Sequence, residues 1–226
     1  MVPLKCEDVR VRGLPLATMA LIAACIAFYV RSMQRTEVLE GFVPLNFAHA
    51  LFHPSEAGAG AVAALAGAMF LHAGPLHLLS NMWYLWIFGS AVEQRVGAVK
   101  FVAFYFVCGV LSMLVQALSD PLSGIPIVGA SGAIAGIMGF HLVLAPLSRL
   151  LVWFPPIFFF PVPAFIFLGL WLFLQYVNLR GAASGAPGVA WWAHIGGYVS
   201  GSLLALFVRP WGAQGKRASG RGKRGS

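Results

Sequence analysis

The chain has 226 residues, of which 59% are hydrophobic and 10% charged, and its mean hydropathy is +0.82. A soluble domain carries roughly a quarter charged residues, and several apolar runs here approach or exceed the ~17 residues that cross a bilayer. The composition excludes a soluble globule and specifies an all-α, polytopic membrane protein; the net charge of +8 therefore bears on membrane orientation, not on nucleic acid.

Residues 1–13 are polar and mixed in charge, and Leu14 to Val30 is the first expected span. A basic segment before an apolar run also describes a signal peptide, but Arg31 and bulky residues follow instead of a small-x-small cleavage site, so an uncleaved helix is expected. Ser32 to Phe70 is too long for an ordinary loop. Its Gly/Ala-rich portion from Ala57 to Leu71 reads as interfacial or partly embedded. Pro75 to Val92 is the second span, with His72 and His77 at its opening and Asn81 inside it. The third runs from about Phe101 to Ala117 and the fourth from Ile127 to Ala145. Leu150 to Phe160 is aromatic and broken by Pro155 and Pro156, and the fifth span follows Pro163 to about Val177. The sixth, Val189 to Val208, precedes a Gly/Ser/Lys/Arg-rich tail from Arg209, expected to be disordered. The organisation is thus a cytoplasmic segment (1–13), a bundle of six transmembrane helices (14–208) and a basic cytoplasmic tail (209–226). Cys6, Cys25 and Cys108 lack the spacing of a metal knuckle or a disulfide framework and read as reduced.

With both termini in the cytoplasm, only Arg31, Arg35 and Arg180 of the 15 Lys and Arg residues fall outside, which follows the positive-inside rule. A seventh span at 57–71 would put the two basic ends on opposite sides. In this arrangement spans two, four and six all descend from the outer side. Asn81, Ser131 and His194 then lie roughly 9, 6 and 8 Å below the outer boundary, at 1.5 Å per residue. Polar groups within spans are costly and mostly functional, and these three share one layer.

Ser131 sits in Ile127-Val128-Gly129-Ala130-Ser131-Gly132-Ala133-Ile134-Ala135-Gly136, where a turn-prone loop gives way to an apolar helix. Its position at a helix N-terminus puts it beside unpaired N–H groups and the positive end of the helix dipole. The bland alternative is a Gly/Ala packing face with an incidental serine. Gly132 and Gly136 make a small face beside Ser131, and Gly197 and Gly201 make one beside His194. Two such faces pack at close backbone distance, which brings His194 Nε2 toward Ser131 Oγ. A lone intramembrane histidine is more often structural, but at a depth matching the serine and Asn81 it reads as a general base. Asn81 and the Ser131 N–H would meet the oxyanion, with His77, one turn from Asn81 on the same face, in the same or a supporting role. No carboxylate is placed as a third member, so the machinery is a Ser–His dyad.

Other chemistries fail on the residues. A metalloprotease helix needs a glutamate between its two histidines; His49-Ala50-Leu51-Phe52-His53 has alanine there. Asp8 and Asp120, the two aspartates, lie outside the spans. A soluble hydrolase elbow needs glycine where Ala133 stands. No phosphate-binding loop or metal cluster is present, so no cofactor or metal is expected. A small transporter is disfavoured because no span carries a paired charge.

His72, His77-Leu78-Leu79-Ser80-Asn81, Val92-Glu93-Gln94-Arg95-Val96-Gly97, Gly129-Ala130-Ser131-Gly132 and Ala193-His194-Ile195-Gly196-Gly197 together resemble the rhomboid family of intramembrane serine proteases, in the family's order and over roughly Phe42 to Val208. The resemblance implies a six-helix core of the bacterial type, Ser131 as nucleophile, His194 as general base, and Asn81 and His77 lining the oxyanion hole. It also implies that the connection after the first span lies in the outer leaflet and that substrate enters near span five. The implied partners are single-pass membrane proteins whose helices unwind easily, cut near the outer end after a small residue, and the lipid bilayer; the oligomeric state is left open. The expected home is the plasma membrane, with the site facing outward. A non-catalytic relative that binds transmembrane helices on the same scaffold is the alternative. The sequence departs from the family where many members carry a tyrosine that stacks on the histidine: Ala135 stands there, and Trp191, Trp192 or Tyr198 is expected to hold the ring. Glu93 and Arg95 read as a helix-end hydrogen-bonding pair, and His49, His53 and His141 as structural or exposed.

Overall fold

Backbone in hydrocarbon satisfies its N–H and C=O groups only within helices or closed barrels, and the long apolar runs of this chain are helical. The computed structural model describes residues 2–7, 13–34, 41–53, 60, 63–181 and 189–212. In order, the elements are β1 (Val2–Cys6), α1 (Leu16–Met33), α2 (Pro44–Phe52), α3 (Pro75–Tyr84), a π turn (Leu85–Gly89), α4 (Ser90–Val96), α5 (Ala98–Ser119), α6 (Ser131–Leu144), β2 (Arg149–Phe154), β3 (Phe158–Pro163), α7 (Ala164–Gly181) and α8 (Trp191–Gly212). Among the described residues, four helical segments are long and apolar enough to cross a membrane: α1, α5, α7 and Trp191–Val208 of α8. α6 is a shorter apolar helix. α3, the π turn and α4 form one uninterrupted rod over the second expected span. Pro75 opens that rod at a position where its missing N–H costs nothing. Gly97, at φ 83°, closes it with its N–H on the Glu93 carbonyl.

α6 is the axis of the bundle. Its residues from Gly132 to His141 are all buried, as a helix that is apolar all round requires. It packs most extensively on α8, through the two small faces. A Cβ on Gly197 would overlap the Gly132 carbonyl, one on Gly201 the Gly136 carbonyl, and one on Gly136 would lie 3.1 Å from the Gly197 oxygen. Without side chains at these positions the two backbones touch.

Glu93 is not a local helix-end partner. Its carboxylate reaches across to α1, where Oε1 accepts the Ala17 N–H at 3.0 Å and Oε2 accepts the Thr18 N–H at 2.8 Å and the Thr18 hydroxyl at 2.7 Å. α1 has no side-chain cap of its own, so its orphan donors are met by a charged acceptor from another helix. Arg95 instead donates to His141 Nδ1 at 3.4 Å. Ser148 Oγ spends its proton on the Ala145 carbonyl, so the bond of 2.9 Å between His141 Nε2 and that hydroxyl oxygen is donated by the histidine. His141 is buried and structural; His49 and His53 stack on each other at 4.5 Å.

The chain departs from the sequence reading at its ends and in the link after α6. Residues 150–160 are not an irregular aromatic stretch. β2 and β3 form an antiparallel hairpin, with Arg149 opposite Pro163 and Phe154 opposite Phe158, and β1 pairs along the other edge of β2. Leu150 and Val152 alternate into the core with full burial. The prolines Pro3, Pro161 and Pro163 lie on the two edge strands, which have no second strand partner among the described residues. Part of the expected polar 1–13 segment is therefore a strand, anchored by the Trp83 indole N–H on the Pro3 carbonyl at 2.7 Å. At the other end α8 continues to Gly212, so 209–212 extend the helix where a disordered tail was expected, and 213–226 lie outside the described residues. Of the stretch 57–71, residues 63–68 are helical, and Leu65, Ala68, Met69 and Leu71 are buried. Phe70 meets the rings of Phe28 and Phe106. Residues 57–59 and 61–62 lie outside the described residues.

Candidate active site

The approach to Ser131 is held from both sides. Phe42 and Ile127 exchange backbone hydrogen bonds of 2.9 and 2.8 Å, and the Gly129 N–H donates to the Ala68 carbonyl at 2.9 Å. Gly129 sits at φ 121°, a conformation side chains oppose, and its face is occupied: a Cβ there would lie 2.8 Å from His77 Nε2 and 3.6 Å from Asn81 Nδ2. The turn brings both side chains of α3 against the segment leading into the serine. Ser131 is the first residue of α6, and the first intrahelical bond in this turn runs from the Ile134 N–H to the Ala130 carbonyl. The N–H groups of Ser131 and its two successors therefore stand at the positive end of the dipole without helical acceptors.

Donors converge here. The Ala73 N–H donates to His77 Nδ1 at 3.4 Å, so a neutral ring keeps its proton on Nε2, the nitrogen facing Gly129. Asn81 is buried, and its Nδ2 makes no hydrogen bond among the described residues. A buried amide left without an acceptor carries a penalty of about 1–3 kcal/mol. His72, before α3, donates from Nδ1 to the Phe70 carbonyl at 3.2 Å and packs edge-on against His77. Burial, with the neighbouring His77, holds its pKa down at about 4.

His194 lies in the first turn of α8, whose start is fixed by the Ala193 N–H donating to Gln116 Oε1 at 3.1 Å. Its ring is buried, with Nδ1 2.8 Å from Gln175 Oε1. Trp191 meets it edge-on at 5.9 Å and Trp171 lies against it at 5.8 Å. Of the three residues expected to replace a tyrosine at Ala135, Trp191 touches the ring. Tyr198 acts only through Trp171, on which it stacks, and Trp192 is exposed.

Ser131, His194, Asn81 and His77 line one cavity of about 1120 Å³, with Gln116, Tyr176 and Arg180 also on its wall. Gly132, next to Ser131, lies against the Ala193 carbonyl, next to His194, with 3.6 Å to the place of a Cβ. No hydrogen bond joins Ser131 Oγ to His194 Nε2 in this structure. Asp120, set aside on sequence as a loop residue, also lines the cavity, but the Nδ1 of His194 is bonded to Gln175. Sequence reasoning missed Gln175, Gln116 and Trp171. The signal for the two glutamines was available: each is an amide inside an apolar run, where a polar group is costly.

A membrane-embedded helical bundle with a serine, a histidine and amide donors around one cavity defines a class of intramembrane protein. The Rhomboid domain model matches residues 59–211, and the chain belongs to the rhomboid family. It is 32% identical over 149 residues to Rhomboid protein 1, mitochondrial, of Saccharomyces cerevisiae, covering 63% of this chain and 40% of that protein. It is 37% identical over 142 residues to RHOMBOID-like protein 6, mitochondrial, of Arabidopsis thaliana (62% and 42%). It is also 37% identical over 145 residues to RHOMBOID-like protein 1 of the same plant (63% and 34%). The chain spans about two-fifths or less of the length of these relatives.

Proposed function

We propose that the chain is an intramembrane serine endopeptidase that cleaves transmembrane segments of single-pass membrane proteins. Ser131 Oγ attacks the scissile carbonyl carbon while His194 Nε2 takes its proton, and the histidine then returns the proton to the leaving amine. Water hydrolyses the acyl-enzyme by the same exchange. Asn81 Nδ2, His77 Nε2–H and the Ser131 N–H stabilise the oxyanion, each donor contributing on the order of 10²–10³ in rate. The observation that carries this reading is the buried Asn81 amide, which finds no acceptor among the described residues and stands beside the start of the serine helix.

The proposed orientation has six crossings, both termini on the basic, cytoplasmic side of a plasma membrane, and the cavity at the opposite face. Two strand and bridge pairings support the alternation. β1 meets β2 at the end where α6 finishes, and Phe42 meets Ile127 at the end where it begins.

The test is labelling of detergent-purified protein by a fluorophosphonate, with Ser131→Ala and His194→Ala alongside. Labelling of the parent and of neither variant supports the dyad. Labelling that survives Ser131→Ala means another nucleophile. A folded parent that neither labels nor cleaves a helix-breaking transmembrane substrate is a non-catalytic protein that binds such helices.

A further inference from the structure

We infer that Gln175 is the positioning residue of the dyad, a neutral acceptor on α7 that fixes the tautomer and plane of His194 where a carboxylate would stand in a triad. The inference rests on the reading of Ser131 and His194 as a dyad, and it follows from counting donors. The Gln175 amide lies between the Trp171 carbonyl, 3.2 Å from its nitrogen, and the His194 ring, 2.8 Å from its oxygen. A carbonyl can only accept, so the amide nitrogen must face Trp171 and the amide oxygen must face the ring. An oxygen that can only accept needs a donor, so His194 carries its proton on Nδ1. A neutral imidazole then has a bare Nε2, which is the form a general base requires. The Trp171 carbonyl thus sets the amide, the amide sets the tautomer, and the ring also packs against the indoles of Trp171 and Trp191. Gln175 is itself buried, so water does not compete for its oxygen. This arrangement supplies what Ala135 cannot.

The test uses the full chain in detergent with Gln175→Leu, which removes the acceptor, and Gln175→Glu, which keeps one. Substrate cleavage is followed for kcat and KM, and the ring nitrogens are followed by ¹⁵N-histidine spectra assigned through His194→Ala. The expected result is a fall in kcat of about 10- to 100-fold in Gln175→Leu with KM nearly unchanged, and recovery to within about tenfold of the parent in Gln175→Glu. The parent spectrum shows His194 protonated on Nδ1, and Gln175→Leu shows a mixture. Parental kcat in Gln175→Leu, or a parental His194 protonated on Nε2, overturns the inference. Should Gln175→Leu fail to fold, the parent spectrum alone decides. A parent that neither labels nor cleaves sinks the protease reading instead, whatever the variants do.

Discussion

Gly201 lies so close to Gly136 that a Cβ on it would overlap the Gly136 carbonyl carbon and oxygen. The obstructing atoms are backbone and cannot rotate away, so Gly201→Ala has to push α8 from α6. We expect a loss of about 3 kcal/mol, the upper end of the range for overpacking, read as a lowered thermal midpoint in detergent. Gly169→Ala on α7, where a Cβ meets nothing within 4 Å, is the control and keeps the parental midpoint. Equal midpoints for the two variants would refute close helix contact at this face.

Asn81 separates function from stability. Its buried Nδ2 has no acceptor among the described residues, so Asn81→Ala removes a desolvated donor and leaves thermal stability unchanged or raised. The same variant lowers kcat by about 10²–10³ if the amide meets an oxyanion. A clear loss of stability would instead make Asn81 a structural residue.

Gly129→Ala is expected to impair both. The φ of 121° resists a side chain, and the new methyl group meets His77 Nε2. Backbone strain of this kind costs about 1–3 kcal/mol, and displacement of His77 or Ser131 lowers cleavage further. Parental activity in this variant would show that the turn is not needed in this form.

Glu93→Ala strips three donors of α1 of a charged acceptor and is expected to cost about 2–4 kcal/mol. Thr18→Val should cost less, and the double variant should fall short of the sum, because both remove the same contact. Additive losses in thermal unfolding would argue against a shared network.

His72 makes stability fall with acid. Its pKa is held near 4, below the usual value of 6.5, so between those values the unfolded chain takes up a proton that the folded chain refuses. Stability from this group is complete above about 6.5 and is lost as pH falls toward 4. The thermal midpoint should decline across that window, and His72→Gln should flatten the decline. An unchanged slope would place the titrating group elsewhere.

The sequence alone determined the membrane class and the positions of the long helices within a few residues, and it singled out Ser131, His194, Asn81 and His77, which the fold gathers around one cavity. Each of these depends on local properties: hydropathy over a run, the breaks at proline and glycine, and the cost of a polar group in lipid. The paired glycine faces were also legible, because small residues one turn apart in a membrane helix serve close helix packing. Three things were decided only by tertiary structure. The β1–β2–β3 sheet joins residues 2–6 to 149–163, and no short-range pattern announces a strand whose partner is so distant. Glu93 looked like a partner for Arg95 because the two are close in sequence, yet the unmet donors lay at the start of α1. The support of His194 came from Gln175 and Trp171 on α7, because which side chains meet a ring depends on how helices are seated against one another. Hydropathy and spacing state what each segment needs, but only the packed bundle shows which distant residue supplies it.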